Sequence, residues 1–201
     1  MWPNSEQWAY AIRRFDRACD TRRTAIHIED FAQVRDKYPQ AKYEGTFDTV
    51  AALAYRGRDL PGLREFARRL AFIVMIGNGD AHLKNWSLIY RDPRNPTLSP
   101  AYDLVSTIQY HSGDGGQEDL GLRLGRSRRF EAVGLESFAT LQRRLEQRFG
   151  KIAVSLAEIA DDTARRTVEA WPHFQEGLEH NQTLMTGIAD WMAQRARSFG
   201  L

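Results

Sequence analysis

The stretch PGLREFARRLAFIVMIGNG, residues 61–79, constrains the fold more than any other part of the chain. Its apolar residues recur at helical spacing, a proline stands in the first turn and a glycine closes the end, which together predict a long buried helix. It runs directly into GNGDAHLKNWSLIY (77–90), where Asn78, Asp80, His82, Lys84 and Asn85 crowd between two apolar runs. WSLIY reads as a short buried strand. The polar residues therefore fall on a short connection between two rigid elements, where a scaffold can position functional groups and still leave them accessible.

The rest of the chain is ordered around this unit. WAYAIRRFDRA (8–18) alternates well enough to predict a strand, and HIEDFAQVRDKY (27–38) predicts a short helix with acids near its start. KYEGTFDT (42–49) is a glycine-containing linker whose Thr46 or Asp48 can cap a following helix. RDPRNPTLSPAYDLVST (91–107), with three prolines, is expected to be loop with short extended pieces, and YHSGDGGQEDLG (110–121) a mobile acidic loop. From about 131 the pattern is helical, in GLESFATLQRRLEQRFG, IAVSLAEIADDTARRTVEAW and LMTGIADWMAQRARSF. The expected class is α+β and mostly helical.

Composition excludes several alternatives. With 201 residues, 42% hydrophobic and 27% charged, the chain has the make-up of a globular domain with a real core. The apolar run at 71–76 is far too short to span a bilayer, and MWPNSEQW carries no signal-peptide pattern, so no membrane association is expected and the expected location is cytoplasmic. The single cysteine, Cys19, excludes an internal disulfide framework and a multi-cysteine zinc site; its ordinary reading is a small buried or half-buried hydrophobe. Net charge is only +2, but arginines gather in LRLGRSRRF (122–130) and QRRLEQRF (142–149). These make either a solvated face or a grip for phosphate or an acidic partner.

Asp80 and Asn85 are separated by four residues, and a second carboxylate, Asp103, follows in SPAYDLVST. In phosphoryl transfer one aspartate accepts the proton of the attacking hydroxyl, an asparagine five positions on holds a metal, and a further aspartate completes that magnesium site. Magnesium keeps phosphate and water oxygens, so one carboxylate and one amide suffice. Taken alone, Asp–x4–Asn arises by chance, and an isolated loop aspartate is commonly a turn or cap residue.

The larger pattern is more specific. NGDAHLKN, a short strand, then LSPAYDLVST resembles the catalytic core of the HipA-like serine/threonine kinases, the toxin half of bacterial toxin–antitoxin modules. RRFDR (13–17) looks like the hinge strand of that family, HIEDFAQ (27–33) like the helix entry after it, and KYEG (42–45) like the next linker. The resemblance implies the carboxy-terminal lobe of a two-lobed, protein-kinase-like fold, with residues 1–20 a hinge-strand remnant leading from an absent amino-terminal lobe and 21–201 the lobe itself. It implies ATP and Mg2+ as cofactors, Asp80 as catalytic base, Lys84 as a lysine steadying the transferred phosphoryl group, and Asn85 and Asp103 as magnesium ligands. His82 and Tyr102 would neighbour the nucleotide, and Phe15 would lie against the adenine. The ordinary readings are a core aromatic for Phe15, a solvated lysine for Lys84 and a structural histidine for His82. Asn78 is expected to fix the loop backbone through an Asx-type hydrogen bond, with no part in chemistry.

The chain also departs from a complete kinase. No phosphate-binding loop with a pairing lysine precedes residue 8, and neither GRDLPG (57–62) nor GDGGQ (113–117) follows a predicted strand into a helix with a lysine. AYDLV lacks the glycine of the usual D-F-G motif, so Asp103 rests on the family pattern. Three readings follow. The first is a kinase lobe that phosphorylates a protein hydroxyl as a toxin component, aided in trans by an amino-terminal lobe. Its implied partners are an antitoxin, nucleic acid only through that antitoxin, and a translation factor such as an aminoacyl-tRNA synthetase as substrate. The second is a non-catalytic remnant that binds the antitoxin or a partner kinase, and the third a phosphoesterase in which Asp80, His82 and Asp103 bind a metal directly.

Overall fold

The computed structural model describes residues 11–19, 22, 24–110, 119–175, 177 and 181–201. Among these residues five short strands, six α-helices and four one-turn 3-10 helices make up the regular structure. Strands β1 (Ile28–Asp30), β2 (Ser87–Ile89) and β3 (Thr97–Leu98) form an antiparallel sheet in the order β1-β2-β3, with Glu29 opposite Leu88 and Leu88 opposite Leu98. Strands β4 (Asp119–Leu124) and β5 (Ser127–Arg129) form a separate hairpin. The helices are α1 (Phe31–Val34), α2 (Phe47–Tyr55), α3 (Leu60–Ile76), α4 (Leu135–Phe149), α5 (Leu156–Gln175) and α6 (Gln182–Ser198).

Helix α3 lies at the centre, against α2, α5 and α6, and Leu63, Phe66, Ala67, Leu70 and Val74 are fully buried. The start is set by Asp59, whose carboxylate accepts from the Gly62 N–H at 2.7 Å, and Pro61 fits because a first-turn N–H has no helical partner to lose. At the other end Gly77 takes a left-handed φ of 65°, and a Cβ there would lie 2.3 Å from Ile108 and 2.9 Å from the Trp191 ring. Only glycine satisfies both demands. The helix therefore stops at Ile76, short of the expected 79, and releases the polar loop at a defined angle. Trp86 at the far end of that loop is buried against Phe66 and Phe47, which anchors the loop on the core.

Several expectations are corrected. Residues 11–18 form no strand; residues 8–10 of that prediction lie outside the described residues. The segment turns instead, because buried Asp16 draws in Arg14 at 2.5 Å and Arg17 at 2.9 Å, leaving an isolated bridge between Arg17 and Ala25. Cys19 is exposed rather than buried. In 27–38 a strand comes first: Ile28–Asp30 pair with β2, and helix α1 is one turn. The acid near its start serves as the cap, with Asp30 accepting from Ala32 and Gln33 N–H at 2.9 Å and Gln33 returning a bond to the Asp30 N–H. Thr46 caps α2 through the Thr49 N–H at 3.1 Å, while Asp48 pairs with Arg144 at 2.8 Å. The arginine run 122–130 lies on the β4–β5 hairpin, with Leu120, Leu122 and Leu124 inward and Arg123, Arg126 and Arg129 exposed to solvent as expected. The glycine-rich loop lies mostly within 111–118, outside the described residues, and its last three residues begin β4. No helix among the described residues is long and apolar enough to cross a membrane.

Arg69 ties the central helix to the segment that carries Tyr102 and Asp103. Its guanidinium is buried, pairs with Glu65 at 2.7 Å and donates to the Ser99 carbonyl at 2.5 Å. Arg69→Ala is expected to cost about 1–3 kcal/mol, since it leaves the buried Ser99 carbonyl without its donor, while the part-exposed Glu65 keeps Arg68 at 3.7 Å. Removing the exposed Arg166–Asp162 pair should cost nothing measurable. Urea unfolding of both variants checks the contrast; equal effects would refute it.

Candidate functional site

The loop after α3 is held by side chains of its own. Asn78, buried to 1% exposure, accepts from the Asp80 N–H at 3.1 Å in the expected Asx-type bond and donates across 25 residues to the Asp103 carbonyl at 3.3 Å. Thr107 donates to the Gly77 carbonyl and accepts from the Gly79 N–H at 2.8 Å. Polypeptide on both sides of the site is thus stapled to the end of one rigid helix.

Asp80 stands half exposed on this loop. The Tyr43 hydroxyl donates to its Oδ1, and Lys42 Nζ and His82 Nε2 each lie 3.8 Å from the same oxygen. The Tyr43 hydroxyl is pushed up to about 12 by its burial and by the Asp80 carboxylate, so it stays a donor at neutral pH. Oδ2 accepts no hydrogen bond from the described residues. His82 is nearly buried, stands edge-on to the Tyr43 ring, and leaves Nδ1 without a partner among the described residues. Burial lowers its pKa more than Asp80 raises it, so the imidazole is neutral at pH 7.

Asn85 is the hub of the arrangement. A one-turn 3-10 helix at Leu83–Asn85 aims its amide so that Oδ1 accepts from the His82 N–H at 2.9 Å and Nδ2 donates to Asp103 Oδ2 at 2.5 Å. Asp103 takes a left-handed φ of 56°, a conformation that costs a non-glycine residue about 1 kcal/mol and concentrates at functional sites. The amide turns its Nδ2 to Asp103, so the oxygens free for a cation are Asp103 Oδ1, on an exposed residue, and the second lone pair of Asn85 Oδ1; one carboxylate and one amide oxygen would suit a magnesium that retains phosphate and water oxygens. No group of three or more His, Cys, Asp or Glu side chains arranged for a metal exists among the described residues, so a cation held wholly by protein carboxylates and imidazoles does not fit.

Tyr102, Phe15 and Lys84 meet elsewhere. They line a cavity of about 290 Å³, with Ile28 of β1 and Ser87 of β2 behind them. The Phe15 and Tyr102 rings are 5.7 Å apart and tilted by 33°, and the Tyr102 hydroxyl bonds to Ser87 Oγ and to the Lys84 carbonyl at 2.8 Å. The Lys84 side chain is exposed and has no partner among the described residues. The seven residues singled out from sequence therefore form one continuous group in three parts: Asp80 with His82, Asn85 with Asp103, and the Phe15, Tyr102 and Lys84 cavity. Sequence reasoning missed Lys42 and Tyr43, which reach Asp80 from a linker read for its glycine, its helix caps and its family likeness. Their adjacency to Asp80 has no local periodicity to betray it.

Against known proteins, a family model described as HipA-like C-terminal domain matches residues 1–171. The protein named "Putative kinase Y4dM" of Sinorhizobium fredii is 41% identical over 184 residues, covering 90% of this chain and 41% of the relative. "Putative kinase Y4mE" of the same organism is 30% identical over 172 residues, covering 76% of this chain and 40% of the relative. A Haemophilus influenzae protein named "Putative kinase" is 33% identical over 116 residues. The chain thus spans about two fifths of the first two relatives' length. Among solved structures, the Shewanella oneidensis HipA toxin, in a complex with HipB and its operator DNA, superposes with a TM-score of 0.68 at 20% identity, over 92% of this chain and 46% of that one. That likeness speaks to the fold.

Proposed function

From the premise that this chain belongs to the family of HipA-like C-terminal domains, we propose that it is the catalytic lobe of an ATP-dependent protein serine/threonine kinase. Residues up to about 20 lead in from an amino-terminal lobe, and 21–201 form the lobe that carries the chemistry. The observation that supports this best is the 2.5 Å bond that joins Asn85, on the connection carrying Asp80, to Asp103, 18 residues on and beyond β2 and β3.

In this reading the acceptor hydroxyl gives its proton to Asp80 as its oxygen bonds to the γ-phosphorus and the bond from phosphorus to the bridging oxygen breaks. Tyr43 holds one carboxylate oxygen, with Lys42 Nζ and His82 Nε2 3.8 Å from it, and Oδ2 is left for the hydroxyl. Asn85 and Asp103 would hold magnesium, which when bound offsets the phosphate charge. Tyr102 and Phe15 receive the adenosine, and Lys84 reaches toward the phosphates. An antitoxin is the implied protein partner, with DNA bound only through it, because the structural neighbour is described in a complex with HipB and operator DNA.

The nucleotide cavity is walled on one side by this lobe, and kinases grip phosphates with backbone amides and a lysine from the smaller lobe. The chain alone is therefore expected to bind ATP no better than millimolar and to transfer no phosphate. Both properties should appear when a family amino-terminal lobe is added in trans. Calorimetry with ATP and magnesium, followed by labelled-phosphate transfer, tests this. Micromolar binding by the chain alone would overturn the shared cleft, and phosphate release from an ester without ATP would overturn the kinase.

A further inference from the structure

Two cavities meet at Tyr43. One, of about 790 Å³, is lined by Asp80, Gly79, Tyr43, Tyr110 and Arg128. The other, of about 540 Å³, is lined by Arg35, Glu44, Thr46, Thr49, Arg123 and Arg128. Tyr43 spans the two, its hydroxyl on Asp80 and its carbonyl accepting from Arg128 at 3.0 Å.

The second cavity holds three guanidinium groups and one carboxylate. That carboxylate, Glu44, is already paired with Lys37 at 2.8 Å. Arg35 and Arg128 each donate to one backbone carbonyl and form no ion pair, and Arg123 is exposed with neither hydrogen bond nor ion pair among the described residues. These arginines come from α1's end, β4 and β5, and the backbone bridge between Thr46 and Arg123 sets β4 beside the N-terminus of α2, whose dipole is positive there. Like charges gathered from the end of α1 and from one hairpin repel one another, and an anion between them relieves that repulsion. The planar guanidinium fork is matched to carboxylate and phosphate oxygens.

We propose that Arg35, Arg123 and Arg128 form an anion-binding subsite for the acceptor protein, taking an acidic or phosphorylated side chain close in sequence to the hydroxyl presented to Asp80. This rests on the kinase reading of Asp80. The two cavities are separated by the length of one tyrosine, so an extended segment, at about 3.3–3.6 Å per residue, brings the anion roughly two or three positions from the acceptor. The subsite narrows the substrate class to proteins whose phosphorylated serine or threonine is flanked by acid.

The test is binding without nucleotide, so that its outcome is separate from that of phosphate transfer. The 201-residue chain is titrated by NMR with serine peptides flanked by glutamates, by glutamines or by a phosphoserine, and with a short oligoribonucleotide. The glutamate or phosphoserine peptide is expected to bind at least about tenfold tighter than the glutamine peptide, and whichever is tighter identifies the anion. Arg123→Glu, at an exposed position, should erase that preference and leave the glutamine peptide unchanged; Arg128→Gln should reduce it. Equal affinity for the glutamate, phosphoserine and glutamine peptides, a preference that survives Arg123→Glu, or RNA binding tighter than either acidic peptide would each overturn the proposal.

Discussion

Asp80→Asn is expected to slow phosphoryl transfer by about 10²–10⁴-fold, roughly 3–5 kcal/mol of barrier, without changing the melting temperature. The amide has the shape of the carboxylate, and an oxygen at the same place still accepts from the Tyr43 hydroxyl. What disappears is the capacity to take a proton, together with the charge that Lys42 faces at 3.8 Å. The measurement is transfer of labelled γ-phosphate by the chain reconstituted with an amino-terminal lobe, at saturating ATP. Loss should fall on kcat, because the base acts in the transition state while the nucleotide is held by other residues. Full activity in the variant would remove Asp80 from the mechanism.

Asp103→Ala is expected to abolish magnesium-dependent nucleotide binding, with Asn85→Ala weakening it less. A carboxylate brings a full charge to the cation and the amide only a dipole. The two side chains are also structurally coupled, so the readouts must be separated. Truncating Asp103 leaves the buried Asn85 amide without its acceptor, at a cost of about 1–3 kcal/mol, and truncating Asn85 frees the His82 N–H as well. Asp103→Asn keeps the shape and the left-handed backbone, which asparagine tolerates, and removes only the charge. It should lose metal binding while keeping more stability than the alanine variant. Magnesium titration in the presence of ATP and the added lobe, with unfolding measured alongside, decides it; unaltered metal affinity in either Asp103 variant would refute the assignment.

The local part of this protein was determined by its sequence. A helix of the right period with a proline in its first turn and a glycine at its end, a polar loop, and the apolar strand SLI can each be read from neighbouring residues, because turn chemistry, helical periodicity and short apolar runs act over a few positions. So can the helical finish from residue 135 onward. Tertiary structure decided the rest. Ile28–Asp30 became a strand only because Ser87–Ile89, nearly sixty residues on, offered the other half of the ladder. Residues 119–129 became a hairpin because folding gave Leu120, Leu122 and Leu124 a core to face. The left-handed Asp103 is held by Asn78 and Asn85, and Asp80 is met by Lys42 and Tyr43, through bonds between segments far apart in the chain. Such pairings carry no local signature: each depends on which backbone groups and side chains the packed core brings within hydrogen-bond reach, and that is set only when the whole chain closes on α3.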